Sequence, residues 1–364
     1  MNKIKKTLLI LFCVLFFSAC VFFSLGMLIP GASDAAEGAG SFPAFIIDGK
    51  INSDFGDGLE TWFSKTFAFR GKVVDAFSAL REKVFHTGND QVIVGEDGFL
   101  FFAETLDAFT GNDPMTNDEI EAAAQSLLNL QKYAEEHGCE FVFAPAPDKA
   151  TIYPDRMPPR YEKTSAPTDL DRLFSELDSL GVNYIDLRPL LTKAAEDTLV
   201  YHKRDTHWNG RGALLAWEKI AERIGVVLPD FGEAVVTHDF EGDLDALLYP
   251  GHTAYDDDLT YDFTDRFIYT SAYSNPMQMS VSTRGGGEKK VLLFRDSFAN
   301  ALIPLVASST AEAKFERANP YRADILGDGT ANGYDAAVAV IAERNLRDLI
   351  GCDSRITGDK TADN

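Results

Sequence analysis

The stretch KVLLFRDSFANALIPLVA, Lys290 to Ala307, decides the fold. Four apolar residues, Val291 to Phe294, are too few for a helix and read as a buried strand. Arg295, Asp296 and Ser297 interrupt the run, and from Phe298 to Ala307 the pattern is helical. A strand that runs through a three-residue turn into a helix is half of a βαβ unit, and a parallel sheet needs several such strands. The chain supplies them. Cys139 to Ala144 (CEFVFA), Val182 to Leu187 (VNYIDL) and Tyr334 to Glu343 (YDAAVAVIAE) are further short apolar strands, and Leu199 to Tyr201 is a shorter candidate. Helical patterns lie between them. Thr116-Asn117-Asp118-Glu119 has the spacing of a capping box, and its helix runs through Leu127, Leu128, Leu130 and Tyr133 to Gly138, which is placed to stop it. Asp169 to Leu180 sets Leu170, Leu173, Phe174 and Leu177 on one face, and Gly210 to Ile224 is a third helix. This alternation predicts an α/β domain with a mainly parallel sheet covered on both faces.

Outside that core the pattern changes. From Asp54 to Phe85 the bulky apolar residues recur at broadly helical spacing, which predicts two helices broken near Phe69-Arg70-Gly71. QVIVGEDGFLFF, Gln91 to Phe102, reads as strand, glycine turn and strand, a hairpin. Residues 229–287 are rich in aromatic and acidic residues without a clear period, and are expected to be irregular. The resulting division is a basic stub and apolar segment (1–30), a flexible linker (31–45), an N-terminal helical and hairpin elaboration (46–115), the α/β domain (116–356) and a polar tail (357–364).

Lys3, Lys5 and Lys6 precede Leu8 to Pro30, which carries no charge. A secretory h-region is about 7–15 residues and a spanning helix needs about 20, so this run is expected to be a signal-anchor. Its positive flank places the N-terminus in the cytoplasm and the rest of the chain outside the membrane, single-pass. Cleavage after Ser33-Asp34-Ala35, releasing a secreted protein, is the alternative. A lipoprotein box at Phe17 to Cys20 is weak, because the apolar VFFSLGMLI would then begin the mature chain. The net charge of -22, from 34 Lys+Arg against 56 Asp+Glu, argues against a nucleic-acid partner. Cys139 and Cys352 are the cysteines beyond the apolar run, and both a disulfide and two buried thiols stand as readings. No Cys/His cluster has zinc spacing, and Asp256-Asp257-Asp258 lacks the EF-hand pattern and reads as a solvated acidic loop.

In open α/β sheets, ligands bind where the strands' carboxyl ends meet the following loops. Three reactive positions fall there. Ser297 sits at a strand-to-helix turn, where free amides favour an oxyanion, although an ordinary N-cap is the plainer reading of a serine there. Asp205-Thr206-His207-Trp208 places a base and a carboxylate two residues apart, on one face if the segment is extended. A polar turn before the Gly210 helix is the plainer reading, with Asp205 or Asn209 as its cap. Trp208 walls a pocket, stacks on a sugar or fills core. The third position, the loop Pro145 to Pro154, carries Asp148 and Lys149, and Lys149 is a contact to substrate or to an acidic catalytic neighbour, or else a solvated side chain. His86, His238 and His252 lie in loops without telling carboxylate partners, and His202 lies close to the motif.

TWFSKTFAFRGKVV, VIVGEDGFLFF, PAPDKATIYPDRMP, DTHWNGRGA, FRDSFANALIP and AERNL, in that order, resemble the AlgX/AlgJ-like SGNH hydrolase-fold family, including its DHHW-type proteins. Phe99 stands where the family hairpin usually has Trp, and Thr206 where the DHHW name has its first His. The resemblance implies a three-layer SGNH-like α/β/α domain whose Asp-His pair precedes the serine, a permuted order. It implies Ser297 as nucleophile, His207 as general base and acid and Asp205 as its orienting partner, with Trp208, Arg295, Lys149 and Asp296 in substrate-binding or supporting places. No metal or cofactor is implied. The implied activity is O-acetyl transfer onto a cell-surface or exported polysaccharide, with a membrane-bound O-acyltransferase supplying the acetyl group. A carbohydrate acetylesterase and a non-catalytic polysaccharide-binding or assembly factor are the alternatives. Phe294-Arg295-Asp296-Ser297 lacks the glycine of the ordinary esterase block, which leaves the oxyanion donors open.

Overall fold

Ten strands order the described part of the main unit. In chain order they are β1 (Val92–Val94), β2 (Leu100–Phe102), β3 (Glu140–Phe143), β4 (Val235–Glu241), β5 (Tyr255–Thr260), β6 (Phe267–Tyr269), β7 (Ser280–Gly285), β8 (Lys290–Arg295), β9 (Glu312–Glu316) and β10 (Ala336–Val340). This is a computed structural model, and it describes residues 42–47, 49–66, 70–251, 254–327 and 333–358, with Val14, Phe17, Ser18 and Val21 as isolated positions. The expected signal-anchor therefore lies, apart from those four positions, outside the described residues. Among the described residues no helix is long and apolar enough to cross a membrane.

Six strands form one sheet in the order β3-β10-β8-β9-β7-β6. The first four are mutually parallel, with Val291 opposite Ala336 and Ala313, and Phe143 opposite Ala339. The last two run antiparallel and extend the sheet beyond β9. The sheet is thus mixed, with its parallel half where the apolar runs predicted it. Alternate side chains feed two cores, as a pleated sheet requires. Val142, Val291, Leu293, Phe315 and Val338 pack with Ala213, Trp217 and Ile220 of the helix Gly210–Ile224. Phe141, Phe143, Leu292, Phe294 and Ala337 pack with Leu127 and Leu130 of the helix Asn117–Glu136 and with Leu170, Leu173 and Leu177 of the helix Asp169–Leu180. Helices α1 (Asn117–Glu136), α2 (Asp169–Leu180) and α3 (Gly210–Ile224) thus complete three layers.

The helix ends follow local chemistry. Thr116 and Glu119 close the predicted capping box, with the Thr116 amide donating to Glu119 Oε2 at 2.6 Å and the Glu119 amide to Thr116 Oγ1 at 3.2 Å. Thr168 and Asp171 repeat it at α2. Asn209 caps α3, accepting the Gly212 amide at 3.0 Å.

Three expectations change. VNYIDL is no full strand: Phe143 and Tyr184 form a single bridge, after which Asp186 engages Arg188 and the chain turns into the helix Arg188–Ala195. Leu199 to Tyr201 likewise contributes only the bridge between Tyr201 and Trp208. Residues 229–287, expected to be irregular, hold β4 to β7. β4 and β5 pair antiparallel and are exposed along much of their length, so no apolar alternation marks them in the sequence. Cys139 and Cys352 are free and buried, and burial pushes the Cys139 thiol up to about 12.

Chain contacts divide the molecule into two units, residues 1–88 with 245–253, and residues 89–244 with 254–364. The β1–β2 hairpin falls in the second. The first contains the helix Phe55–Thr66 and the helix Arg70–Leu80, whose expected break near 69 falls partly outside the described residues. Within this unit Tyr249 bonds Glu82, and the Gly251 amide donates to Asp75 at 3.1 Å.

Candidate active site

Ser297 follows β8 at the carboxyl end of the parallel strands, two residues after Arg295, which pairs with Val340. It occupies the N-cap position of the turn Phe298–Leu302, yet its hydroxyl makes no capping bond. The capping reading of this serine fails for that reason. Asp296 holds the turn instead: Oδ1 accepts the Phe298 amide at 2.8 Å, and Oδ2 accepts the Ala342 amide at 2.6 Å and Asn345 Nδ2 at 3.0 Å. The AERNL segment after β10 is thereby tied to the serine turn.

The freed hydroxyl lies 2.9 Å from His207 Nε2. On the other side of the ring, His207 Nδ1 lies 2.7 Å from Asp205 Oδ1. An ionised carboxylate only accepts, so Nδ1 carries the proton and Nε2 is the acceptor facing the serine hydroxyl. The side chains of Asp205 and His207 meet because the segment is folded back, not extended: Asp205 Oδ1 also accepts the His207 amide at 2.8 Å. Burial opposes the charge on Asp205, but the hydrogen bond and charge of His207, with the amides of Asp243 and His207, hold its carboxyl well below the usual range. Ser297 and His207 are half-buried while Asp205 is buried, so the hydrogen-bonded chain is open at its Ser297 end and closed at its Asp205 end.

The remaining expected residues stand behind this chain. Trp208 is 1% exposed, and its Nε1 donates to the Phe298 carbonyl at 2.9 Å, joining the histidine segment to the serine turn. Core and scaffold, not a sugar platform, is its place. Lys149 is 4% exposed and donates from Nζ to the carbonyls of His202, Lys203 and Asp205 at 3.1, 3.0 and 2.5 Å. The solvated reading of this lysine is thus overturned; burial lowers its ammonium to about 7 against the pull of Asp205, Asp243 and Asp256. Arg295 is buried, donating to Asn300 Oδ1 at 2.6 Å and to the Gln278 carbonyl at 2.7 Å. It braces the turn against the segment before β7.

The acidic residues of the β4–β5 region were not expected here. Asp256 Oδ2 accepts the Arg204 amide at 2.8 Å, and Asp258 Oδ1 accepts the Gly210 amide at 3.1 Å. Asp256-Asp257-Asp258 is therefore no solvated loop: its two outer residues bind the backbone on either side of the motif. His202, packed at 3.7 Å against the Phe240 ring, presents Nδ1 to the Asp257 carbonyl at 3.2 Å. His238 also gains a carboxylate partner, Asp257 at 2.6 Å, on an exposed surface. His252 lies outside the described residues. Asp243 accepts the Thr206 amide at 2.8 Å and the Thr206 hydroxyl at 2.6 Å. Asp205, His207 and Asp243 bring potential ligand atoms within 4.8 Å of one another. Their oxygens and ring nitrogens are engaged in hydrogen bonds to one another, to Thr206 or to Ser297.

A cavity of about 720 Å³ lies elsewhere in the unit, lined by Thr151, Asp171, Arg188, Glu343 and Arg344 among others. Neither Ser297 nor His207 lines it, and Arg188 and Arg344 are already paired with Asp171, Asp186 and Asp148. It is not the cleft in which Ser297 is reached.

Residues 92–265 match the family model of the SGNH hydrolase-like domain, acetyltransferase AlgX. A probable alginate O-acetylase AlgJ of Pseudomonas aeruginosa is 25% identical over 197 residues, 54% of this chain and 46% of the relative. The chain thus spans about half the length of the curated relatives it matches. Among solved structures, PatB1 of Bacillus cereus is 18% identical with a TM-score of 0.53, covering 71% of this chain and 97% of that one. A DHHW family protein from Eubacterium siraeum is 16% identical with a TM-score of 0.53, covering 74% and 96%. At such identities the two structures speak for the fold alone. Over the matched stretch, residues 92–265, the chain is therefore similar to the SGNH hydrolase-like domain of the AlgX/AlgJ type.

Proposed function

We propose that this chain is a membrane-anchored O-acetyltransferase that carries an acetyl group on Ser297 and delivers it to hydroxyls of a cell-surface or exported polysaccharide. The observation that carries the reading is the continuous hydrogen-bonded chain from Asp205 through His207 to Ser297, at 2.7 and 2.9 Å. In the first half-reaction Ser297 Oγ attacks the acetyl carbonyl while His207 Nε2 takes its proton. The tetrahedral oxyanion meets the Ser297 amide, which has no hydrogen-bond acceptor among the described residues. Collapse breaks the bond to the donor, which leaves with the proton from His207, and acetyl-serine remains. In the second half, a sugar hydroxyl gives its proton to His207 and attacks the acetyl-serine carbonyl. The new ester forms, and Ser297 Oγ regains the proton. Asp205 keeps Nδ1 protonated and stabilises the imidazolium in both halves.

A membrane-bound O-acyltransferase is the proposed source of the acetyl group, and the uncharged run Leu8 to Pro30 the proposed single-pass anchor. The lysines before that run support an extracytoplasmic main domain, with release after signal cleavage as the other outcome. The test is incubation of the full chain with an activated acetyl ester, with and without glycan acceptors. Acetylated glycan that disappears in Ser297→Ala supports the proposal. Acetate release indifferent to every acceptor makes the chain an esterase, and neither activity with intact glycan binding makes it a binding factor.

A further inference from the structure

The carboxylate that orients His207 is itself held by a neighbour outside every motif the sequence displays. Asp243 donates its backbone N–H to Asp205 Oδ2 at 2.8 Å, so both Asp205 oxygens are occupied, one by His207 and one by Asp243. The Asp243 side chain in turn grips Thr206, the residue between Asp205 and His207, through both its amide and its hydroxyl. Asp243 Oδ2 stands 3.7 Å from His207 Nδ1. The approach is too close for a side chain at the preceding residue: a Cβ on Gly242 would lie 2.2 Å from the Arg204 carbonyl oxygen. Backbone meets backbone here, and only glycine permits it.

We infer that Asp243 is a positioning residue for the acyl-transfer site, fixing Asp205 and Thr206 and adding a second negative charge beside His207. The inference rests on the Ser297-His207-Asp205 reading. Two separable effects follow. The amide bond and the Thr206 grip set geometry, which governs how well the ring faces Ser297. The charge favours the imidazolium that forms as the serine proton is taken. Burial and the Asp205 charge raise the Asp243 carboxyl, while Thr206 and His207 act in the opposite sense. Other titratable and charged groups bearing on this cluster are Lys149 from the segment after β3, His202 and Arg204 just before the motif, and Asp256 of the hairpin.

The experiment compares the full chain with its Asp243→Asn, Asp243→Ala and Thr206→Val variants, reading kcat and KM on an activated acetyl ester. An NMR titration of the His207 ring is read in parallel, because it requires no activity. Asp243→Asn is expected to lower kcat roughly tenfold with KM changed less than about twofold. It should also move the His207 titration midpoint to lower pH by roughly half a unit or more, since a neighbouring anion is lost. Thr206→Val should lower kcat and leave the midpoint in place, because the Asp243 charge remains. Unchanged kcat and midpoint in Asp243→Asn overturn the inference. So does a loss of activity accompanied by a lower melting temperature and an unmoved midpoint, which assigns Asp243 to stability. Full activity in Ser297→Ala instead removes the reading beneath it, whereas an inactive Ser297→Ala with a wild-type Asp243→Asn removes this inference alone.

Discussion

The serine turn and the β4–β5 hairpin hold two sides of one site by opposite means. The turn is fixed by a buried parallel sheet: β8 has hydrogen-bonded neighbours on both sides, and Asp296 locks the residues that follow. The hairpin is largely exposed and offers carboxylates instead, with Asp256 and Asp258 each binding a backbone amide of the Arg204–Gly210 segment. Apolar burial positions Ser297, the proposed nucleophile, and polar contacts position His207, its proposed base. The first is robust because burial is additive and non-directional. The second is exact in direction but depends on single groups, so point substitutions should separate the two.

The largest effect is expected at the junction. Ser297→Ala and His207→Ala should each lower acetyl transfer by about a thousandfold or more, with thermal unfolding close to wild type. Equal activity in either variant would break the comparison at its centre. Next comes Lys149→Met, which removes three donors from buried carbonyls and should cost about 3 kcal/mol in denaturant unfolding. The pH dependence follows from linkage. The folded Lys149 value, about 7, lies below its ordinary value of 10.5, so between them the unfolded chain binds more protons. Stability relative to Lys149→Met should therefore rise as pH climbs through that window and fall as pH drops toward 7. A constant difference from neutral to alkaline pH would show that the lysine stays charged.

Asp256→Ala tests the hairpin without touching the reacting groups. Loss of the Arg204 amide's acceptor should reduce kcat by about threefold to tenfold at nearly constant KM; a change confined to KM would place the hairpin in acceptor binding. The smallest effect is expected from Trp208→Phe, which keeps the ring against Phe298 and removes one hydrogen bond, worth about 1 kcal/mol in unfolding.

The same contrast explains what was legible in the sequence. Val291 to Phe294 and Ala336 to Val340 are unbroken apolar runs because both faces of a central parallel strand are buried, and the run itself announces the strand. Ser297 could be singled out because it follows such a run, and Asp205 and His207 because they stand two residues apart in a motif that, with the others in order, resembled those of a family. β4 and β5 left no such trace. YDDDLT is exposed on much of its surface, and its aspartates act through backbone amides, which any residue in the partner segment provides. Asp243 was hidden for the same reason. Gly242 was its only local signal, and a glycine in an acidic loop has too many uses to be read alone. Lys149 was singled out, but its burial depends on the carbonyls of a segment more than fifty residues away.

The central claim is that Ser297 carries the acetyl group between donor and glycan. The direct measurement is intact-mass and peptide analysis of the full chain quenched after brief exposure to an activated acetyl ester without acceptor. The account predicts one acetyl group on the peptide containing Ser297, discharged when a glycan acceptor is added and absent from Ser297→Ala and His207→Ala. Acetylated glycan formed at the wild-type rate by Ser297→Ala, or an acetyl group that acceptor never removes, would contradict it.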